Sequence, residues 1–277
     1  MSQAGQWTAT VMARRDTGDY AVVTLSAGTD TSAARAGQFA SVRVAGPDSA
    51  LLLRRAMWIG EATSSGRDGG TIEVVADRGE PGGAWLAAQP QSARVDVIGP
   101  LGRPFSLPRD PTHCLLIGFG AATAALVKLS EELVARGCRV RFLLLGQAAA
   151  FGVLAARRFS SEIVDSSGRS IDPREAVLDQ LDDSVEVVYS AGLTEQLRPL
   201  GQIVTEMGVA HQTAVETPLV CGSRTCTLCA LPVRGRDGVT RMVRACTEGP
   251  VFRADLVRWD DLGTVPGDCL GAGEEAR

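Results

Sequence analysis

Four cysteines in the last quarter of the chain have a spacing that suits metal coordination. Cys221, Cys226 and Cys229 lie within the stretch "CGSRTCTLC", and Cys246 follows after a gap. A C-x4-C-x2-C run with a distant fourth cysteine is the plant-type arrangement for a [2Fe–2S] cluster. Three thiolates on one tight loop can hold one side of the cluster, and the fourth can come from a neighbouring strand or turn. The spacing therefore predicts a [2Fe–2S] site.

Two other interpretations of these cysteines remain open from the sequence. A structural zinc ion usually takes paired C-x2-C knuckles, and Cys226 with Cys229 forms the single such pair in the chain. A redox-active dithiol at the same two positions would leave Cys221 and Cys246 without a role. The [2Fe–2S] interpretation is favoured because it uses all four thiols.

Composition limits the classes of function that fit the chain. The 277 residues are 45% hydrophobic and 22% charged with a net charge of −4, which indicates a folded protein without a nucleic-acid surface. The first twenty residues contain no apolar signal-peptide segment, and no apolar run is long enough to span a membrane. Seven cysteines without an export signal favour metal or redox chemistry over disulfides, so we expect a cytoplasmic location. Cys114 and Cys138 lie in apolar segments and are predicted to be buried.

The pattern of elements predicts a multidomain α/β plus β protein. Short, partly alternating runs over the first hundred residues are typical of an antiparallel barrel or sandwich. From His113, apolar strands alternate with segments of helical periodicity, which indicates a doubly wound parallel sheet. After His211 the pattern changes to cysteine-bearing loops and short strands. We therefore expect domains over 1–108, 109–212 and 213–263, followed by a flexible tail that includes Cys269, over 264–277.

The chain resembles the electron-transfer subunits of the two-subunit dihydroorotate dehydrogenases, within the ferredoxin–NADP reductase superfamily. The resemblance runs in order from residue 7 to about residue 260. It is carried by "AGQFASVRV", "LLLRRAMWIG", "GPLGRPF", "LLIGFGAATAAL", "YSAGLTEQL" and "CGSRTCTLC…CTEGPVF". The resemblance implies an FAD-binding barrel, a nicotinamide-nucleotide-binding domain and a small C-terminal [2Fe–2S] domain. It also implies a catalytic flavoprotein partner in a hetero-oligomer.

The flavin motifs of that family are only partly kept. The family reads Arg-Pro-x-Ser, with the Arg toward the FAD phosphates and the Ser near the flavin ring. The corresponding positions here are Arg55, Ala56, Met57 and Trp58. A Gly-Thr pair that approaches the pyrophosphate in the family appears here as Gly82-Gly83. Trp58 can stack on the flavin ring or fill its place, and both possibilities stay open.

The nicotinamide motifs differ further. The Gly-Gly-Gly-x-Gly-x-Pro-Pro turn of the family reads "GFGAATAA" here, with Phe119 and Ala122 in place of glycines. The family's Cys-Gly-Pro is Ala191-Gly192-Leu193. These changes indicate a structural role for this region rather than a working NAD(P)H site, since glycines let a backbone approach a phosphate.

These observations predict an iron–sulfur flavoprotein that passes electrons through a [2Fe–2S] cluster to a partner flavin oxidoreductase resembling dihydroorotate dehydrogenase. We expect an oxidoreductase component rather than a self-contained enzyme, because the chain shows no substrate-pocket chemistry of its own. No hydrolytic constellation of side chains is discernible, so hydrolysis is not expected. The alternative is a degenerate member without NAD(P)H and FAD sites, which would act as a [2Fe–2S] relay or stabilising subunit fed by an external reductase.

Overall fold

A computed structural model describes residues 4–28, 33–46, 50–65, 69–146, 151–160, 162–166 and 171–272. The first part of the chain forms a closed antiparallel barrel with strand order β1-β2-β5-β4-β3-β6. Its strands are β1 (Gly5–Thr17), β2 (Tyr20–Ala27), β3 (Phe39–Val42), β4 (Arg55–Ser64), β5 (Gly70–Asp77) and β6 (Arg94–Leu101), with helix α1 (Pro81–Ala87) between β5 and β6. The prediction of a barrel is confirmed.

The barrel closes because β1 is long enough to pair along both of its edges. Its first half pairs with β6, its second half pairs with β2, and a bulge separates Val11 from Ala13. A bulge of this kind bends a strand, so one strand can belong to both sides of a closed sheet. Alternate side chains such as Val23, Val74 and Val97 point inward and fill the barrel.

The second part of the chain is a six-stranded sheet with helices on both faces, as predicted. Its order is β14-β11-β10-β7-β8-β9, parallel except for the edge strand β14 (Val251–Arg253). The elements are β7 (His113–Phe119), α2 (Thr123–Ala135), β8 (Arg139–Leu145), α3 (Val153–Phe159), β9 (Glu162–Asp165), α4 (Pro173–Leu178), β10 (Val187–Leu193), α5 (Thr194–Glu206) and β11 (Ala210–Glu216). The strands are near-continuous apolar runs because both faces are covered. Cys114 and Cys138 are 2% and 6% exposed, which confirms that they are buried.

The barrel and the sheet share an apolar contact. Tyr20, Trp58 and Val75 of the barrel belong to the same core as the sheet strands. A Cβ on Gly60 of β4 would lie 3.5 Å from the Cβ of Ala124, so α2 packs closely on the barrel. This contact fixes the ends of the sheet strands relative to the barrel.

The last part of the chain is built on a hairpin. Its elements are β12 (Ala230–Arg234), β13 (Thr240–Arg244), α6 (Ala245–Glu248) and β14 (Val251–Arg253). Although β14 lies within the range that we expected to be a separate domain, it pairs with β11 and extends the sheet. Trp259 packs over Gly201 of α5, so this part is attached to the sheet at two places.

Within the range that we expected to be a flexible tail, the described residues 264–272 pack against the hairpin. Cys269 is 6% exposed, and the amide of Leu270 donates to the carbonyl of Thr240 at 2.8 Å. Asp268 forms an ion pair with Arg258 at 2.6 Å. This packing was not predicted because the tail consists mainly of small and polar residues, which give no periodic apolar pattern. The last residues of the expected tail, 273–277, lie outside the described residues. None of the described helices is long and apolar enough to cross a membrane.

Candidate functional site

The hairpin brings the fourth cysteine to the other three. Residues 221–229 form a loop that ends where β12 begins, and Cys246 follows β13 in the short helix α6. Ala230 pairs with Arg244 across the hairpin, and the amide of Ala245 donates to the carbonyl of Cys229 at 3.0 Å. The register of two short strands therefore places Cys246 beside Cys229, although 17 positions separate them in the sequence.

The four thiols are arranged as two pairs. The side chain of Cys221 hydrogen-bonds with that of Cys226, and the side chain of Cys246 with that of Cys229. Cys221 also lies near enough to Cys246 to raise its pKa, so the two pairs are neighbours. In the described part of the chain, no three His, Cys, Asp or Glu side chains converge on a point where one metal ion could be held. A two-iron cluster needs no such point, since each iron takes two thiolates. The paired arrangement fits a [2Fe–2S] cluster.

The pKa values of Cys221 and Cys246 are shifted in opposite directions. Burial raises the pKa of Cys221, but hydrogen bonds from the backbone amides of Cys226 and Ser223 outweigh it and lower the pKa to about 6. The amide of Ser223 donates to the Cys221 sulfur at 3.4 Å. Burial raises the pKa of Cys246 to about 11, a change that the nearby Cys229 thiol reinforces and the Arg224 amide opposes. Amide donors to sulfur stabilise the thiolate form that binds iron.

The backbone of the cysteine loop turns its amides inward at a conformational cost. Gly222, Arg224 and Thr227 have φ values of 64°, 70° and 58°. This left-handed region is unfavourable for Arg and more so for the β-branched Thr. A Cβ on Gly222 would lie 2.5 Å from a methyl carbon of Leu101, so the loop also packs closely against the end of β6.

A cavity of about 420 Å³ lies beside the cysteine loop. Its walls come from β4 and β5 of the barrel, from the start of α1, and from the segment 216–220 that leads into Cys221. Of the flavin-site residues predicted from the sequence, Arg55, Ala56, Met57, Trp58 and Gly83 line this cavity. The size and the mainly apolar walls are typical of a cofactor pocket.

Arg55 is held at the cavity by an acidic residue that the sequence analysis missed. Its Nε donates to Glu80 at 2.8 Å, and the second carboxylate oxygen of Glu80 accepts from the amide of Gly83 at 2.8 Å. Partial burial raises the pKa of Glu80, but the hydrogen bonds from Arg55 and from the amides of Gly83 and Gly82 outweigh it and lower the pKa. Pro81 was a readable signal for a helix start, because proline is frequent at the first helical position, and the negative charge of Glu80 suits a helix N-terminus.

The glycine pair at the start of α1 is required by packing. A Cβ on Gly83 would lie 1.9 Å from the carbonyl oxygen of Asp77, and one on Gly82 would lie 2.6 Å from the Arg55 side chain. Contacts within the chain therefore require glycine at both positions. Gly82 packs behind Arg55 rather than lining the cavity.

Trp58 forms a wall of the cavity and does not fill it. Its side chain is 4% exposed, and its indole Nε1 donates to Glu216 at the end of β11 at 3.2 Å. Burial raises the pKa of Glu216, and the nearby Asp77 adds to this, while the bond from Trp58 opposes it. Because the open volume remains beside Trp58, the residues present fit a flavin ring in this cavity.

Comparisons with known proteins agree with this arrangement. Residues 216–258 match the family model for the iron–sulfur cluster binding domain of dihydroorotate dehydrogenase B. The electron transfer subunit of dihydroorotate dehydrogenase B (NAD(+)) from Bacillus caldolyticus is 30% identical over 228 residues, which cover 80% of this chain and 86% of the relative. The chain belongs to this family. The subunit of the same name from Geobacillus thermodenitrificans is 29% identical over the same shares.

Solved structures of the superfamily share the fold. A chain of the NADH-dependent reduced ferredoxin–NADP oxidoreductase, described for flavin-based electron bifurcation, superposes with a TM-score of 0.76 at 20% identity. The match covers 92% of this chain and 91% of that one. A ferredoxin–NADP⁺ reductase from Neisseria gonorrhoeae, solved with FAD and NADP, superposes with a TM-score of 0.55 at 16% identity over 73% of this chain and 92% of that chain. The ferredoxin–NADP reductase-like architecture of this family member is therefore confirmed.

Proposed function

We propose that the chain is an iron–sulfur flavoprotein subunit that delivers electrons to a partner flavin oxidoreductase resembling dihydroorotate dehydrogenase. The observation that carries this proposal is the position of the cavity. Val220 lines the cavity, and the next residue along the chain is Cys221. A flavin in the cavity and a cluster on the loop would lie next to each other without any intervening element.

In this proposal each part of the chain has a separate task. Cys221, Cys226, Cys229 and Cys246 are the ligands of the [2Fe–2S] cluster, and the amide of Ser223 stabilises the negative charge on the Cys221 sulfur. Trp58 and Met57 form the apolar wall for FAD, and Arg55 supplies the positive charge for its phosphates. FAD exchanges electrons in pairs or singly, while the cluster carries one at a time.

The exposed side of the cysteine loop is the proposed exit for electrons. Ser223, Arg224, Thr225 and Leu228 are exposed, while Cys229 and Cys246 are buried beneath the loop. A partner that covers this side would approach the cluster more closely than from any barrel surface. The proposal includes a hetero-oligomer with a catalytic flavoprotein and a cytoplasmic location, where the thiols stay reduced.

One observation favours a second candidate function, that of a [2Fe–2S] relay without flavin. The charge of Arg55 is already paired with Glu80, so a phosphate must compete for it. A relay would leave the cavity free and take electrons from an external reductase. The two candidates differ in a quantity that is simple to measure, the FAD content of the chain.

The test is anaerobic capture of the tagged chain from its own host, followed by cofactor and partner analysis. We expect acid to release about one FAD per chain, and we expect a co-eluting flavoprotein whose own flavin is reduced when the dithionite-reduced chain is added. A cluster without releasable FAD would support the relay. A chain that elutes with no flavoprotein, or that leaves the partner's flavin oxidised, would contradict delivery of electrons to such a partner.

A further inference from the structure

The crevice where open α/β sheets bind dinucleotides can be located in this chain. In such sheets the ligand lies beyond the carboxyl ends of the strands, at the point where the strand order reverses. Here the chain runs from β7 outward to β8 and β9 on one side, and to β10 and β11 on the other. The crevice therefore lies between the ends of β7 and β10, at Phe119 and Leu193.

The side chain of Phe119 occupies this crevice. Phe119 is 5% exposed although it is the last residue of its strand. A Cβ on Gly192, the matching position of β10, would lie 2.9 Å from a ring carbon of Phe119 and 3.1 Å from its Cβ. The ring thus lies directly against the backbone of β10, where the floor of a nucleotide crevice would have to be open.

Backbone groups on both sides of the crevice, at Leu193, Gly120 and Ala122, also hydrogen-bond to side chains, lie close to them or are buried. The amide of Leu193, at the start of α5, donates to the side chain of Gln196 at 2.9 Å. On the β7 side, a Cβ on Gly120 would lie 3.1 Å from the hydroxyl oxygen of the buried Tyr20. Ala122 is fully buried. A pyrophosphate that needs close backbone approach would meet the side chain of Gln196 at Leu193 and the hydroxyl of Tyr20 near Gly120.

We propose that Phe119 closes the dinucleotide crevice, so that this chain binds neither NADH nor NADPH. The inference rests on the proposed electron-transfer function and sets the chain apart from relatives named for NAD(+). A hydride donor must place its ring against the flavin and anchor its phosphates on the sheet. The sheet of this chain offers a phenyl ring at the anchoring position.

The experiment measures nucleotide binding directly, without turnover. NADH and NADPH are titrated into the purified full chain by calorimetry and by the fluorescence of bound NADH. The wild type is compared with Phe119→Ala, which opens the crevice, and with Phe119→Leu, which keeps apolar bulk there. Phe159→Ala is the control, because Phe159 lies on α3 with Arg158 over its ring, away from the crevice. Melting temperature and visible spectrum show that each variant is folded.

We expect no saturable binding to the wild type, Phe119→Leu or Phe159→Ala up to the highest nucleotide concentration titrated. For Phe119→Ala we expect saturable binding with a Kd at least about tenfold below that concentration. Micromolar binding of either nucleotide to the wild type would overturn the proposal, and this result does not depend on any variant folding. If Phe119→Ala folds and still binds neither nucleotide, the assignment of closure to Phe119 is wrong. Loss of the proposed function would show separately, as absence of cluster absorption in every protein.

Discussion

Glu80 and a bound phosphate would require the same hydrogen-bond donors. The Glu80 carboxylate accepts from the Nε of Arg55 and from the amide of Gly83. Charge-assisted bonds of this kind are among the stronger hydrogen bonds in proteins. FAD must therefore either displace the carboxylate or bind beside it at an electrostatic cost.

Replacing Glu80 by Gln is expected to tighten FAD binding. Gln can still accept from the amide of Gly83, but it leaves the charge of Arg55 free, and we expect FAD affinity to rise by about tenfold. Flavin fluorescence quenching on titration of the flavin-free chain measures the affinity. Arg55→Gln is the matched variant and should weaken binding. Weaker binding in Glu80→Gln would show instead that Glu80 positions Arg55 for the phosphate.

Glu216 is expected to make stability depend on pH. Because burial raises its pKa above the ordinary 4.5, the folded chain favours the protonated form. Its contribution is fully present below about pH 4.5 and is lost as the pH rises through the raised value. Glu216→Gln should therefore raise the melting temperature more at pH 8 than at pH 5, since Gln stays neutral and can accept from Trp58.

The control for this prediction is Glu131→Gln, on the exposed side of α2. This substitution also removes one negative charge, but from an exposed carboxylate. It should therefore shift the melting temperature by a similar amount at both pH values. A pH-independent effect of Glu216→Gln would contradict the assignment of a buried, destabilised carboxylate to this position.

At the scale of residues, sequence reasoning identified the chemistry of the cysteines but not their surroundings. The spacing of Cys221, Cys226 and Cys229 is local, so the ligand set could be proposed directly. The pairing of Arg55 with Glu80 spans 25 positions, and that of Trp58 with Glu216 spans 158. Such contacts depend on how the barrel and sheet meet, which no local pattern encodes.

The cysteine loop is the element whose conformation matters most to the site. Its three left-handed residues turn the backbone so that amides face sulfur, and Gly222 also lies against Leu101 of β6. A side chain at this position would suffer both an unfavourable φ and a steric clash.

Gly222→Ala is therefore expected to lower both stability and cluster content. Gly238→Ala is the matched variant, because Gly238 has a φ of 80° with no atom within 4 Å of an added Cβ. We expect both to lose about 1 kcal/mol from backbone strain, and Gly222→Ala to lose about 1 kcal/mol more from the contact with Leu101. Urea unfolding and iron analysis measure the two effects. Equal losses would mean that Leu101 moves aside freely.

The elements themselves were largely predictable because their patterns are local. Alternation identified the barrel strands, and apolar runs with helical periods between them identified the parallel sheet. The pairing of β14 with β11 was not predicted, since three residues give no periodic signal. The packing of Trp259 on Gly201 was not predicted either. The two residues are distant in the sequence, and their contact depends on how α5 lies against the sheet.

At the scale of the whole molecule, the described residues after 263, 264–272, pack against the cysteine-bearing hairpin. Thr240 of β13 forms a bridge with Cys269, and its hydroxyl donates to Asp268 at 3.1 Å. Arg258 joins the same group through Asp268. This group supports β13, the strand that leads into Cys246.

Deleting residues 264–277 is expected to destabilise the hairpin. We expect the melting temperature to fall by roughly 4–8 °C, since the lost contacts contribute about 2 kcal/mol and a chain of this size shifts by about 2–4 °C per kcal/mol. Hydrogen exchange should quicken in β12 and β13 while the barrel is unaffected. Cys269→Ser in the full chain separates loss of the buried thiol from loss of the segment. Unchanged exchange in β13 would mean that the segment from residue 264 does not stabilise the hairpin, in agreement with a flexible tail.

The central claim, that four cysteines in two pairs hold a [2Fe–2S] cluster, is tested most directly by electron paramagnetic resonance of the anaerobically purified, dithionite-reduced chain. We predict a single S = ½ signal with about two iron atoms and two sulfides per chain. Cys226→Ser should abolish or alter the signal, and Cys114→Ser, at a buried thiol far from the loop in sequence, should leave it unchanged. A colourless protein with one zinc ion, or a Cys226→Ser spectrum identical to the wild type, would contradict the account.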